Sequence, residues 1–213
     1  MKGYVARVTL VTLIGISLIL AVWIANGSAA SQQPDRIVVN KPWPLEPVRI
    51  VSAKTKQKAD LVIGSPFIED DDWLDGFTVT VLNNYHKTVT AMTISIVFRR
   101  DSGDTRSPLA WNLHFGPSPI SSEYKDRDPN KVIKSHQTAE LSLSSQDYLT
   151  LKNDFEQTGY KTIKQVELVI REVGFEDGSM FYSGTFYSQD PAYPNDPTKK
   201  LKVSEPPGAQ NPR

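Results

Sequence analysis

The feature that most limits what this chain can become is a two-residue alternation of apolar and polar side chains, clearest in FTVTVLNN at residues 77–84. Phe77, Val79 and Val81 point one way while Thr78 and Thr80 point the other, the period of a strand with one buried face. The stretch TVTAMTISIVFRR, residues 88–100, repeats the pattern, with Met92, Ile94, Ile96 and Phe98 alternating with Thr93, Ser95 and Val97. The polar link from Asn83 to Lys87 predicts that the two strands form a hairpin. Further runs rich in β-branched and aromatic residues predict strands at 48–53, 59–63, 109–115, 138–143, 163–173 and 180–187. Most intervals are too short for the crossover that parallel neighbours need, so the expected class is all-β, largely antiparallel and two-layered.

One segment departs from this period. In SSQDYLTLKNDFEQTG, Ser144 precedes Asp147 by three residues, Tyr148, Leu151 and Phe155 recur at three and four, and Gly159 closes the run. This predicts one short capped helix near 145–158, plugging an end of the sandwich and joining strands of opposite layers.

Lys2 and Arg7 precede an uncharged stretch from Val8 to Ala30, the pattern read by export machinery, so the body is expected outside the cytosol, in the periplasm or beyond the cell. Ser28-Ala29-Ala30 reads as a cleavage site. Alternatively Val8 to Ile24 stays as a single N-terminal transmembrane anchor, which is then the chain's only contact with a membrane. The chain has no cysteine, which rules out a thioether lipid anchor, disulfides, thiolate zinc sites and cysteine nucleophiles, and leaves an apolar core to hold the fold. The 24 basic residues balance 24 acidic ones, so the excess positive charge that nucleic-acid binding draws on is missing and no nucleic-acid partner is expected. The expected organisation is a signal peptide or anchor at 1–30, a Pro-rich linker at 31–47 in which Ile37 to Val39 can pair as a sheet edge, a β-sandwich domain at 48–188 and a disordered Pro-rich tail at 189–213.

Phe77-x-Val79-x-Val81-x-Asn83-Asn84, Lys87-x-Val89-x-Ala91 and Ile94-x-Ile96 resemble the central strands of bacterial extracellular immunoglobulin-like or fibronectin-like domains, in which an Asn often closes the first strand. The resemblance covers about twenty residues closely and implies a cysteine-free sandwich of this kind. It also implies binding, adhesion or assembly, by analogy of fold only. The ending Phe175-Glu176-Asp177-Gly178-Ser179-Met180 predicts a hairpin on an Asp-Gly turn.

The densest acidic run, Glu69-Asp70-Asp71-Asp72 with Asp75, offers oxygens to a hard cation, and Glu69, Asp70, Asp72 and Asp75 are the calcium candidates. EF-hand spacing fails there and again at 126–130, so a solvated loop is the simpler expectation. His86, His114 and His136 lack the spacing of a metal pair, and no Gly-x-Ser-x-Gly, phosphate-binding loop or dinucleotide fingerprint occurs. No catalytic residue and no cofactor is expected. Aromatic residues in predicted loops can anchor a partner, and Trp73 and Tyr85, flanking the Phe77 strand, are the partner-binding candidates. The functional expectation is a non-catalytic binding or assembly module with a protein or glycan partner in the envelope. The alternatives are a carbohydrate-binding or adhesion module using exposed aromatics and, third, a hydrolase.

Overall fold

The computed structural model describes residues 35–57, 60–100, 103–118, 128, 130–196 and 198–203. Residues 1–30, expected from the sequence to be a signal peptide or anchor, lie outside them, and among the described residues no helix is long and apolar enough to cross a membrane.

Strands dominate, in two sheets. In the smaller, β4 (Thr78–Asn83) lies between β2 (Val48–Lys54) and β7 (Thr138–Ser142), antiparallel to both. The axis of the larger is β8 (Gln165–Phe175), whose first edge pairs antiparallel with β5 (Val89–Phe98), which pairs in turn with β6 (Leu109–Phe115). The second edge of β8 is divided. Parallel β1 (Asp35–Asn40) takes Gln165 to Leu168, and antiparallel β9 (Met180–Tyr182) takes Glu172 to Gly174. Outside β1 runs β3 (Pro66–Ile68), and outside β9 run β10 (Thr185–Gln189) and β11 (Lys200–Val203). Between the two partners of β8, the Trp43 indole Nε1 donates to Ile170 O at 3.0 Å and Ser183 N donates to Arg171 O at 2.8 Å. An indole thus stands where a strand would otherwise supply an N–H.

Residues of both sheets belong to one core: Val48, Ile50, Val79, Val81 and Leu141 from the smaller, and Met92, Ile94, Ile96, Phe98, Leu168 and Ile170 from the larger. The helix α1 (Ser145–Thr158) forms as its sequence predicts. Ser144 Oγ accepts from Asp147 N, Gly159 adopts the left-handed conformation at the other end, and Tyr148, Leu151 and Phe155 are buried. It joins β7 of one sheet to β8 of the other.

Five expectations need correction. The strands β4 and β5 do not form a hairpin, because each pairs within its own sheet and the link 84–88 is a corner between sheets. Asn83 builds that corner: its Nδ2 donates to Lys87 O and Ile133 O, and its Oδ1 accepts from Tyr85 N. Thr93, Ser95 and Val97 are buried as well as their apolar neighbours, since β5 has a strand on both edges and its outer face carries polar contacts such as Thr93–His114 and Ser95–Asn112. The Pro-rich stretch 31–47 contains β1, which sits inside the sheet between β8 and β3, and the tail begins later than residue 189 because β10 reaches Gln189 and β11 pairs with it. Of the strand expected at 59–63, Leu61 makes one isolated bridge to Ala53, and the strand of that region is β3.

Candidate functional site

Where β5 ends, Arg99 and Arg100 leave the sheet beside the segment that follows α1, because Phe98 pairs with Val166 at the start of β8. Tyr160 ties the two together: its hydroxyl donates to Phe98 O at 2.8 Å and accepts from Leu109 N at 3.0 Å. The Arg100 guanidinium lies 4.1 Å from the centroid of the Tyr160 ring and donates to Ser107 O, Asp104 and Thr158 O. Arg106 also donates to Thr158 O, at 2.8 Å, and holds Asp104 through Nε and Nη2. Two guanidinium groups therefore satisfy the last turn of α1, the end where exposed carbonyls and the helix dipole favour positive charge. The Arg106 guanidinium, helped by its backbone N–H and by Arg100, holds the Asp104 carboxyl well below the usual carboxylate range.

Around this frame opens a cleft of about 480 Å³, lined by Arg99, Arg100, Asp104, Tyr160, Lys161 and Lys164 among others. Among the described residues only one of its lining side chains is acidic, and that one, Asp104, is already held by two arginines. Lys161 and Lys164 are exposed and make no ion pair among the described residues. Arg99 gives Nη2 to Glu167 at 2.5 Å, and its other donors face no protein acceptor among the described residues.

The candidates from sequence lie elsewhere and mostly serve the fold. The acidic run clamps α1 and β1 instead of converging on a cation. Asp72 accepts from Tyr148 Oη at 2.7 Å and Lys152 Nζ at 2.9 Å, and Asp75 accepts from Ser145 Oγ and Lys56 Nζ. Lys152, with Tyr148 adding to it, holds the Asp72 carboxyl below its ordinary value, and Ser145 and then Lys56 do the same for Asp75. Asp70 accepts from Gln57, and Glu69 is buried with Oε1 accepting from Thr55. Among the described residues no group of three or more His, Asp or Glu side chains is placed to hold a metal ion. In this structure Glu69, Asp70, Asp72 and Asp75 thus dock the helix and close loops.

Trp73 is not an exposed anchor. It is 1 % exposed, edge-on to Phe67 and Phe77, and donates Nε1 to Ile163 O at 3.1 Å. The same carbonyl accepts from Arg36 Nη1 at 2.7 Å, and this buried arginine also bonds Glu69 O and Asp71. Tyr85 is half-buried, its ring 5.2 Å from that of Phe175 and 5.8 Å from that of Phe186, and burial pushes its hydroxyl above the ordinary value. The three histidines have different surroundings, His114 on β6 against Thr93, His86 against Tyr85 and His136 in the turn before β7.

Sequence reasoning missed the basic cleft. Its only local signs are the paired Arg99-Arg100 at a strand end and Lys161-x-x-Lys164 after a helix, separated by sixty residues of chain. No protein-family model, no curated protein and no solved structure matches this chain.

Proposed function

We propose that this chain is an exported immunoglobulin-like two-layer β-sandwich that acts as a non-catalytic binding or assembly module in the cell envelope or outside the cell. The wiring supports the fold assignment. Three strands, β2, β4 and β7, stand in one sheet, and β6, β5, β8 and β9 follow one another in the other, the division of a Greek-key sandwich with α1 inserted in the crossing from β7 to β8. The export assignment rests on Lys2, Arg7 and the apolar segment after them.

The observation that carries the functional reading is the cleft. Its frame is locked by helix-capping arginines and a tyrosine bonded at both ends of its hydroxyl, while Lys161 and Lys164 at its surface have no structural partner among the described residues. Rigid frames that display unspent charged groups are the architecture of recognition surfaces, because the cost of ordering the site is met in folding. Affinity capture of the full chain from its native envelope, followed by N-terminal sequencing of the recovered protein, tests the reading. A partner lost on Lys161→Gln/Lys164→Gln supports it. Recovery of the protein in the cytosol, or a partner set that the double variant leaves unchanged, sinks it. A mature N-terminus at Met1 replaces cleavage with a membrane-anchored ectodomain.

A further inference from the structure

The cleft beside Tyr160 also indicates what kind of ligand it takes, an inference that rests on the binding-module reading above. At about 480 Å³ it falls within the roughly 300–1,000 Å³ of small-molecule sites. Its lining is polar and cationic in a chain whose total charge is zero, so the positive field there is local and not a property of the whole surface.

The cations form two tiers. Arg100 is the fixed tier, its side chain 9 % exposed, stacked on Tyr160 and bonded to Ser107 O, Thr158 O and Asp104. Lys161, Lys164 and Arg99 are the displayed tier. The two ammonium groups have no carboxylate among the described residues, and the guanidinium of Arg99 gives Glu167 one edge while five N–H donors are at its disposal. The adjacent hollow of about 290 Å³, which shares Tyr160 to Thr162, has Asp71, Asp72 and Glu156 in its lining. A negatively charged ligand is therefore confined to the first cleft.

We propose that this cleft binds an anionic ligand carrying phosphate or carboxylate groups, held by Lys161, Lys164 and the free edge of Arg99 above the fixed Arg100–Tyr160 pair. Two or more negative groups suit the site better than one, because the three displayed cations come from two segments of chain, at the end of β5 and before β8. Charge-assisted bonds from a guanidinium and two ammonium groups favour flat, bidentate oxygen pairs at Arg99 and single oxygens at the lysines.

Isothermal titration of the full chain with pyrophosphate, with citrate and with a neutral maltooligosaccharide tests this. Binding of pyrophosphate or citrate, weakened at least about tenfold in Lys161→Gln/Lys164→Gln and unchanged in the charge-matched Lys134→Gln/Lys202→Gln, is the expected result, and the stronger of the two anions identifies phosphate or carboxylate as the group read. Affinity should also fall with added salt. No heat with either anion, or equal weakening in both double variants, overturns the assignment. If neither anion binds while envelope capture still yields a partner sensitive to Lys161 and Lys164, the anion assignment fails and the binding-module reading stands.

Discussion

Replacing Gly116 by alanine should cost far more than replacing Gly178, although both residues have positive φ, at 63° and 76°. An L side chain in that region costs about 1–2 kcal/mol at either position. The difference lies in what the new methyl meets. At Gly178 nothing lies within 4 Å, but at Gly116 a Cβ would sit 2.0 Å from Thr90 O, 3.1 Å from Thr90 C and 3.4 Å from Ala91 Cα. Carbon–oxygen contacts settle near 3.3–3.6 Å, so the backbone must open by more than about 1 Å. No rotamer change relieves this, because the obstructing atoms are main chain in β5, where Val89 and Ala91 are buried and Val89 exchanges hydrogen bonds with Ile133. Shifting that end of the strand disturbs its pairing with both β6 and β8, and overpacking of this kind adds roughly 1–3 kcal/mol or more. The expected loss is therefore about 2–5 kcal/mol for Gly116→Ala against about 1–2 for Gly178→Ala. Urea unfolding followed by tryptophan fluorescence measures both, with the slope checked for two-state behaviour. If the two losses agree within about 0.5 kcal/mol, the register of β5 against β6 at this end is wrong.

Trp73→Ala should destabilise by about 3–5 kcal/mol, since it empties a core site and removes one donor from Ile163 O; a loss under about 1 kcal/mol would mean that Trp73 is a surface residue after all. Burial raises the Glu46 carboxyl from its ordinary 4.5 to about 7, against the lowering effect of the Trp43 N–H. Between those values the folded chain keeps a proton that the unfolded chain has released, so stability falls as pH rises across the window. Glu46→Gln should flatten that fall, measured as urea midpoints at about pH 5 and about pH 7.5; an unchanged slope would show that another group causes it. Arg100→Lys keeps the charge but loses the stack on Tyr160 and the bond fork, and should cost about 1–2 kcal/mol in the same assay, with no loss refuting its structural role. Added calcium should leave the unfolding midpoint unchanged, because the carboxylates of Glu69, Asp70, Asp72 and Asp75 are turned to separate partners; an upward shift would restore the cation reading.

What the sequence makes legible here is whatever depends on neighbours along the chain. Leu109 to Phe115 and Thr138 to Ser142 alternate, and both are strands; Ser144, Asp147 and Gly159 carry capping chemistry within reach of their own backbone, and the helix begins and ends between them. Pairing is different in kind. An alternating strand specifies which side chains face inward but not which strand lies beside it, so β4 and β5 read as a hairpin although Asn83 turns the chain from one sheet into the other. The same limit hid the place of β1, which reads as an edge piece at Ile37 to Val39 but is paired on both sides by β8 and β3, and hid β11, where Gln189, Asp190 and Asp196 fold a Pro-rich turn back onto β10. It also applies to the acidic run. Acidic residues adjacent in sequence look like one cluster, yet each of Asp70, Asp71, Asp72 and Asp75 is spent on a different distant group, Gln57, Arg36, Tyr148 with Lys152, and Ser145. The cleft inverts that relation: Arg99 and Lys161 are sixty-two residues apart and are brought together because Phe98 pairs with Val166 and Tyr160 bonds Phe98 O. Charge density along the chain is therefore a poor guide to charge density in space.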